Sequence, residues 1–600
     1  MSSPALRKRS ELRKEETWDL ESIFASPDVW EAQYGQVSAR IPELDAHRDT
    51  ITDSGSALAS ALELRDDLRM DVNKLAVYAN LRRAEDATNA ASVALADRAL
   101  SLDTKLTAAA SFIEPAILSL DPDTLDEWTN EEPRLEIYRH YFTKLGRMRN
   151  HIRSADVEQV IAQAESVMQG FAGTRQALEN ADLNFGIITD ADGNEVQLGP
   201  GNLAHYLRDR DREVRKRAWI SAADAYVGMK NTFAGVLAGG IKRDVFRMRA
   251  RNFSSSLEAS LYPNAIPVEV FHNLIDTVWK NLPTWHKYFE IRKRILGLDV
   301  HEEWDIATPL SEDGPVISYE EGMEMILESL APLGEEYVEV VRRSVSERWA
   351  DPWPNIGKGG GAFSSGTKGT LPFLSMPYQN DLPSVSTLTH ELGHSMHSYY
   401  TWQNQPVVYS RYTMFVAEAA SNMHQALLGA HLFGQERDKA FQIAMIEERM
   451  GNHLRYFFTM PILARFELDA HEKVERGEAL TAESMTNTLA DIYEEAYGGR
   501  VNVDRQRMGI TWARFGHLFA NFYVFQYATG IAAAAAMARQ VIEEGEPARK
   551  RYLDFLKAGD SKFPIDALRD AGIDMLDPAP VQAAFDILAA YVDRLDELTS

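Results

Sequence analysis

The chain has no cysteine among its 600 residues. That absence excludes a disulfide framework, a thiolate zinc site and a thiol nucleophile together. It leaves histidine and carboxylate side chains as the ligands from which a metal site could be built. Histidine itself is scarce, at 15 residues, so two histidines at a ligand spacing stand out. Positive charge is in deficit: 63 Lys and Arg face 89 Asp and Glu, a formal net charge of -26. This argues against a general nucleic-acid binder and against an anionic membrane surface as partner. Long apolar runs are missing too. The most membrane-like stretch, residues 531–538, is mostly alanine and stops at Arg539, far short of the roughly 20 residues that span a bilayer. The basic N-terminal segment, residues 1–16, is not followed by the apolar stretch of a secretory signal, so the expectation is a cytoplasmic protein. Proline is held to 24 residues, while 45% of the chain is hydrophobic and 25% charged, the balance of a folded globular protein. The length calls for two or more packed units.

What is present is chiefly helical patterning. Residues 57–81 and 91–109 carry apolar periodicity in a background of Ala, Leu, Glu and Arg, and charged helical segments recur at 208–219 and at 317–349, the latter punctuated by Gly334. The clearest β signal is residues 183–189 and 195–198 around Asp192-Gly193, a pair suited to the positive φ angles of a tight hairpin. The hairpin marks an expected junction between an N-terminal helical domain, 1–198, and a second helical domain, 199–600. Residues 352–370 hold six glycines, too many for a helix interior. Gly361 and Gly366 have the separation of a phosphate loop, but Thr367 stands where the lysine is required and Lys368 comes one position late, so the stretch reads better as a loop beside an active site. Residues 371–378 are expected as an extended edge segment.

One constellation carries chemistry. His390-Glu391-Leu392-Gly393-His394 places two imidazoles four residues apart, one above the other on a helix, where both can hold one ion. Val385, Leu388, Leu392, Met396 and Tyr399 form an apolar stripe on the opposite side, so the helix can pack and still present its ligands. A catalytic zinc requires a third ligand and an open position for water. Between Glu391 and Glu436 the sole acidic residue is Glu418, set in the apolar run Met414-Phe-Val-Ala-Glu-Ala-Ala420, where an unpaired carboxylate is costly and a divalent cation removes the cost. The alternative for Glu418 is an ion pair with Arg411 or another base. His397 is expected to be structural, because a His-only motif would need a histidine at position 400, where Tyr400 stands. His471-Glu472 repeats part of the pattern in a charged segment and reads as a solvated helix end. With His390, His394 and Glu418 as ligands, Glu391 is placed to take a proton from water and pass it to a leaving amine. His517, with Tyr523 and Tyr527 four residues apart, offers donors for a developing oxyanion, against the plainer reading of aromatics in a core.

These residues resemble the oligoendopeptidase F branch of the thimet oligopeptidase family of zinc metallopeptidases. The resemblance runs through Thr17-Trp-Asp-Leu20, Arg348-Trp349, Gly357-Lys358, Gly361-Ala362, residues 390–397, Phe415-Val-Ala-Glu418-Ala-Ala-Ser421 and Phe522-Tyr523 to Gly530. It implies a mainly α, two-lobed molecule with a few short β segments and a deep substrate channel. It also implies one zinc per chain held by His390, His394 and Glu418, with Glu391 as general base and His517, Tyr523 and Tyr527 as transition-state and substrate contacts. The implied activity is endopeptidase cleavage of short unstructured oligopeptides, the segment 371–378 pairing with the peptide as an added strand. Two departures are visible: Gly359-Gly360 stand where this branch carries Arg-Ser, and Gly530 stands where the thimet branch has a further tyrosine. Two rivals remain at this stage. A zinc carboxypeptidase or dipeptidyl carboxypeptidase would need a basic group for the free carboxylate, for which Arg505, Arg507 and Arg514 are candidates. A non-catalytic peptide-binding scaffold would keep the zinc only structurally.

Overall fold

The apolar periodicities at 57–81 and 91–109 fold as the long helices Gly55–Glu85 and Ala90–Ala110, started by the side-chain caps of Ser54 and Asn89. The computed structural model describes residues 6–168, 170–311 and 314–600, so residues 1–5 of the basic N-terminal segment lie outside the described residues. Within them the protein is mainly helical, with five strands of two or three residues. No described helix is long and apolar enough to cross a membrane.

Two compact units emerge, each drawn from three stretches of chain. One comprises Met1–Arg149, Val316–His431 and Met537–Gly572; the other comprises Asn150–Pro315, Leu432–Ala536 and Ile573–Ser600. The division anticipated at residue 198 was contiguous in sequence, whereas both units interleave.

In the first unit, Trp30 is fully buried and its indole N–H donates to the Leu75 carbonyl, fixing the N-terminal helix Pro27–Arg40 on Gly55–Glu85. Thr17-Trp-Asp-Leu20 and Arg348-Trp349 form one joint: the Arg348 guanidinium donates to the carbonyls of Thr17 and Trp18, and Asp19 N–H donates back to the Arg348 carbonyl. A three-stranded sheet follows, in the order Ala350–Asp351, Phe373–Ser375, Phe363–Ser365. The first pair is parallel, with Ala350 opposite Leu374; the second is antiparallel, with Phe363 opposite Ser375. Phe373–Ser375 is therefore the central, wholly buried strand and not the edge expected for 371–378. The edge strand is Phe363–Ser365, in the glycine-rich stretch. Lys358 secures that stretch from below: its buried ammonium donates to Asp351 Oδ1 at 2.7 Å and to the carbonyls of Asp351, Trp353 and Met376. Gly357 is required, with φ +84° and Asp86 Oδ1 2.0 Å from where a Cβ would sit. A Cβ on Gly359 or Gly360 would meet nothing within 4 Å, so packing does not forbid side chains at these two positions. The helix Leu382–Asn404 is capped by Asp381 and buttressed by the helix Glu546–Ala558, where Thr401 Oγ1 donates to the Leu556 carbonyl and Gln405 Nε2 to that of Lys557.

The second unit holds the expected hairpin, Ile187–Thr189 antiparallel to Glu195–Gln197, its turn closed by Asp190 accepting from the N–H groups of Asp192 and Asn194 with Gly193 at φ +86°. The charged segment 208–219 becomes the helix Arg212–Gly228, capped by Asp211. Glu303 is buried beside Tyr497, and burial pushes its carboxyl up to about 8, partly offset by the Tyr497 hydroxyl and the charge of Arg514. The sign follows. A raised pKa means the folded state holds a proton that the unfolded chain releases near pH 4.5, so this group's contribution to stability is complete below that pH and is lost as pH rises to about 8. Glu303→Gln should remove a pH-dependent loss on the order of 3–5 kcal/mol, read as a melting temperature that declines less from pH 5 to 8 than in the unsubstituted protein. Parallel declines would overturn this assignment.

Candidate metal centre

The helix Leu382–Asn404 buries Val385, Leu388, Leu392 and Met396 almost completely, as the apolar stripe requires, and turns His390 and His394 the other way. Their rings lie 4.8 Å apart and nearly perpendicular. Glu418 comes from the helix Met414–Phe433. Its Oε2 lies 3.4 Å from His390 Nε2 and 3.8 Å from His394 Nε2. His390, His394 and Glu418 each offer one ligand atom, all within 4.8 Å of one another, and among the described residues this is the one such group.

Gly393 sets the approach of the two helices. A Cβ there would lie 2.6 Å from Ser421 Cα and 2.7 Å from the Ala420 carbonyl oxygen, backbone atoms that cannot turn aside. The glycine between the two histidines thus lets the glutamate helix come close enough for Glu418 to face them. Gln425, about two turns beyond Glu418 on the same helix, fixes the tautomer of His390. Its amide N–H donates to Ser386 Oγ at 2.8 Å, which leaves Oε1, 3.1 Å away, to accept from His390 Nδ1–H. Nε2 is then the free lone pair on the Glu418 side. Sequence reading missed Gly393 and Gln425, since neither role shows until the second helix is in place.

The donor set fits a divalent cation. Burial holds His394 well below its ordinary range, as do the neighbouring His390, His397 and His424, so it is a neutral donor and not an ammonium-like partner for Glu418. His394 therefore brings no charge to balance the acid of Glu418, and a divalent cation held by the two imidazoles and the carboxylate would supply it. Among the described ion pairs Glu418 has none with Arg411; its other contact is the Ser421 hydroxyl at 3.0 Å.

Glu391 is buried on the same helix and has no salt bridge among the described residues. Burial raises its carboxyl to about 7, with Glu418 adding to the rise and His390 and the Ser364 N–H opposing it. Ser364 belongs to the edge strand Phe363–Ser365, whose hydroxyl also meets Ser395 on the motif helix at 2.9 Å. Base, ligands and sheet edge therefore lie together in one unit. His397 is stacked on Tyr412 at 3.7 Å and buried, its pKa pushed down to about 3, and takes no part in the cluster.

His517, Tyr523 and Tyr527 gather in the other unit. The rings of His517 and Tyr523 are 5.8 Å apart and nearly parallel, Tyr527 stands edge-on to His517 at 6.0 Å, and the two tyrosine hydroxyls are 2.8 Å apart. The helical spacing assumed for the tyrosines is not what brings them together, because Tyr523 lies in a non-helical loop and Tyr527 in the first turn of Phe525–Glu544. Burial, then the charges of Arg455 and Arg175, lower the pKa of His517 and keep the ring neutral. Arg455 and Tyr456 sit on a π-helical turn, Leu454–Thr459, with Tyr456 stacked on Tyr527 at 5.1 Å. Such turns are frequent at functional sites. Sequence reading missed both. The His471 segment is corrected in one respect: His471 is buried, not solvated, with Nδ1 bonded to the Glu467 carbonyl.

Comparison with known proteins places the chain in a family. Residues 205–587 match the model of Peptidase family M3, and residues 117–185 match that of Oligopeptidase F. The chain belongs to peptidase family M3. It is 39% identical over 591 residues to Oligopeptidase PepF of Bacillus subtilis (98% of this chain, 88% of the relative). It is 33% identical over 592 residues to Group B oligopeptidase PepB of Streptococcus agalactiae (99% and 98%). Among solved structures, oligoendopeptidase-F from Enterococcus faecium superposes with a TM-score of 0.75 at 31% identity, covering 95% of this chain and 98% of that one.

Proposed function

We propose that the chain is a cytoplasmic zinc endopeptidase that hydrolyses internal bonds of short, unstructured oligopeptides. The observation that carries the reading is the convergence of His390, His394 and Glu418 beside a buried Glu391 that has no salt bridge among the described residues. His390, His394 and Glu418 would hold one zinc ion, which when bound polarises a carbonyl and acidifies water. Glu391 takes the proton from the attacking water and delivers it to the leaving amine, and its buried position keeps bulk water from levelling its basicity. The free edge of Phe363–Ser365, adjoining Glu391, is the strand on which an extended peptide would add its backbone, in place of the central strand Phe373–Ser375. His517, Tyr523 and Tyr527 would donate hydrogen bonds to substrate oxygens as charge develops.

The carboxypeptidase reading is weakened at two of its three candidates, Arg514 having no such ion pair among those described. Arg505 is engaged by Asp491 and Glu494, and Arg507 by Asp224 and Asp504. A structural-zinc scaffold has no use for the buried acid at Glu391. A fluorogenic octapeptide blocked at both termini decides among the three: the expected result is chelator-sensitive internal cleavage identified by mass spectrometry. Cleavage confined to peptides with a free carboxylate would replace the reading with the carboxypeptidase, and zinc without turnover would replace it with the scaffold.

A further inference from the structure

The loop between the turn Gly516–Phe519 and the helix Phe525–Glu544 holds a backbone conformation that its sequence does not favour. Phe522 has φ +48°, in the left-handed region, although it is neither glycine nor asparagine. Such a conformation persists only where the surroundings over-determine it. Three side chains from three helices do so. Arg243 Nη2 donates to the Phe519 carbonyl at 3.0 Å, Ser260 Oγ donates to the Asn521 carbonyl at 2.8 Å, and Phe522 N–H donates to Glu467 Oε1 at 2.8 Å. The Phe522 ring is fully buried, edge-on to Phe271 at 5.8 Å and 4.8 Å from His471.

Glu467 is the unexpected member. It is buried on the helix Met460–Glu475, and its Oε2 has no hydrogen-bond partner among the described residues. Burial holds the carboxyl well above the ordinary carboxylate range, so the group is a neutral acid whose carbonyl oxygen serves Phe522. The next residue is Tyr523. A left-handed residue reverses the chain direction locally, and directly after this reversal the Tyr523 ring lies along His517 with its hydroxyl 2.8 Å from that of Tyr527. A relaxed φ at Phe522 would carry Tyr523 away from both.

We infer that Glu467 is a positioning residue: its hydrogen bond to Phe522 N–H, with the tethers from Ser260 and Arg243, locks the loop that holds Tyr523 in its working position. The inference rests on the reading of Tyr523 as a substrate contact. It acts through Tyr523 and not on the metal, which separates it from a general contribution to folding.

The test is a double-variant cycle on the zinc-loaded full chain with the blocked octapeptide. Tyr523→Phe is expected to lower kcat about 100-fold, as loss of one oxyanion donor does. Glu467→Leu, which leaves Phe522 N–H without an acceptor, is expected to lower kcat about 30-fold with KM changed less than about threefold and zinc content unchanged. Glu467→Gln keeps an acceptor oxygen and should stay within about threefold of the unsubstituted chain. Combined with Tyr523→Phe, Glu467→Leu should cost no more than about threefold further, because its target is already gone. Unchanged turnover in Glu467→Leu, equal losses in the Gln and Leu variants, or a double variant showing the product of the two losses would each overturn the inference. Should Glu467→Leu not fold, the same cycle with Ser260→Ala decides: a several-fold loss that disappears in the Tyr523→Phe background supports the lock, and an additive loss overturns it. Full activity in Tyr523→Phe would remove the tyrosine reading itself, whereas a loss there beside an unaffected Glu467→Leu removes the lock alone.

Discussion

Glu391→Gln should retain its zinc and lose about 10³–10⁴-fold of kcat, which corresponds to about 4–5 kcal/mol of transition-state stabilisation. The amide keeps the size and shape of the carboxyl but cannot accept a proton from water. Metal content should be unchanged because the donor atoms belong to His390, His394 and Glu418, on which Glu391 makes no demand. Stability should rise slightly, since the substitution removes an acid that burial disfavours in its charged form and that has no described cation partner. The measurement is turnover of the blocked octapeptide beside zinc analysis and a thermal melt. Full zinc with turnover within tenfold of the parent would mean that another group moves the proton, and the assignment of Glu391 would be withdrawn.

Glu418→Ala should weaken zinc binding by a factor on the order of 10³ or more, beyond the 10–100-fold cost of losing a group that merely orients a ligand. Two imidazoles remain, without the carboxylate that balances the ion and completes a three-ligand site. The thermal signature is more telling than activity. With zinc removed, the variant should melt no lower than the parent, because it lacks a half-buried carboxylate facing two imidazoles. With zinc in thousandfold excess over the parent's Kd, the parent should gain about 4 kcal/mol by linkage and the variant almost nothing. Equal zinc stabilisation of both proteins would sink the ligand assignment.

Much of the site was legible because its geometry is local or its chemistry is unusual. The four-residue spacing of His390 and His394 fixes their shared face on any helix, and Glu418 is conspicuous as an acid in an apolar run. The helices and the hairpin were legible for the same reason, with periodicity and turn chemistry agreeing over many residues. What could not be read depended on partners distant in sequence. Ala350–Asp351 is too short to leave a strand pattern, so Phe373–Ser375 looked like an edge when it is a centre. Gly393 carries meaning only once Ala420 and Ser421 lie against it. Tyr523 and Tyr527 were paired correctly but for the wrong reason, because the chain between them leaves the loop and enters a helix only at Phe525. His471 sits in a charged segment and is nevertheless buried, held by the same Met460–Glu475 helix that presents Glu467.

The support of the motif helix by Glu546–Ala558 sets an order of events during synthesis. The ribosome releases both histidines and Glu418 more than a hundred residues before Leu556 and Lys557, the carbonyls that receive Thr401 and Gln405. A nascent chain can therefore display all three metal ligands while the helix of His390 and His394 still lacks its brace. Ion capture by the growing polypeptide would be provisional, and the durable site would close only once Glu546–Ala558 has left the exit tunnel.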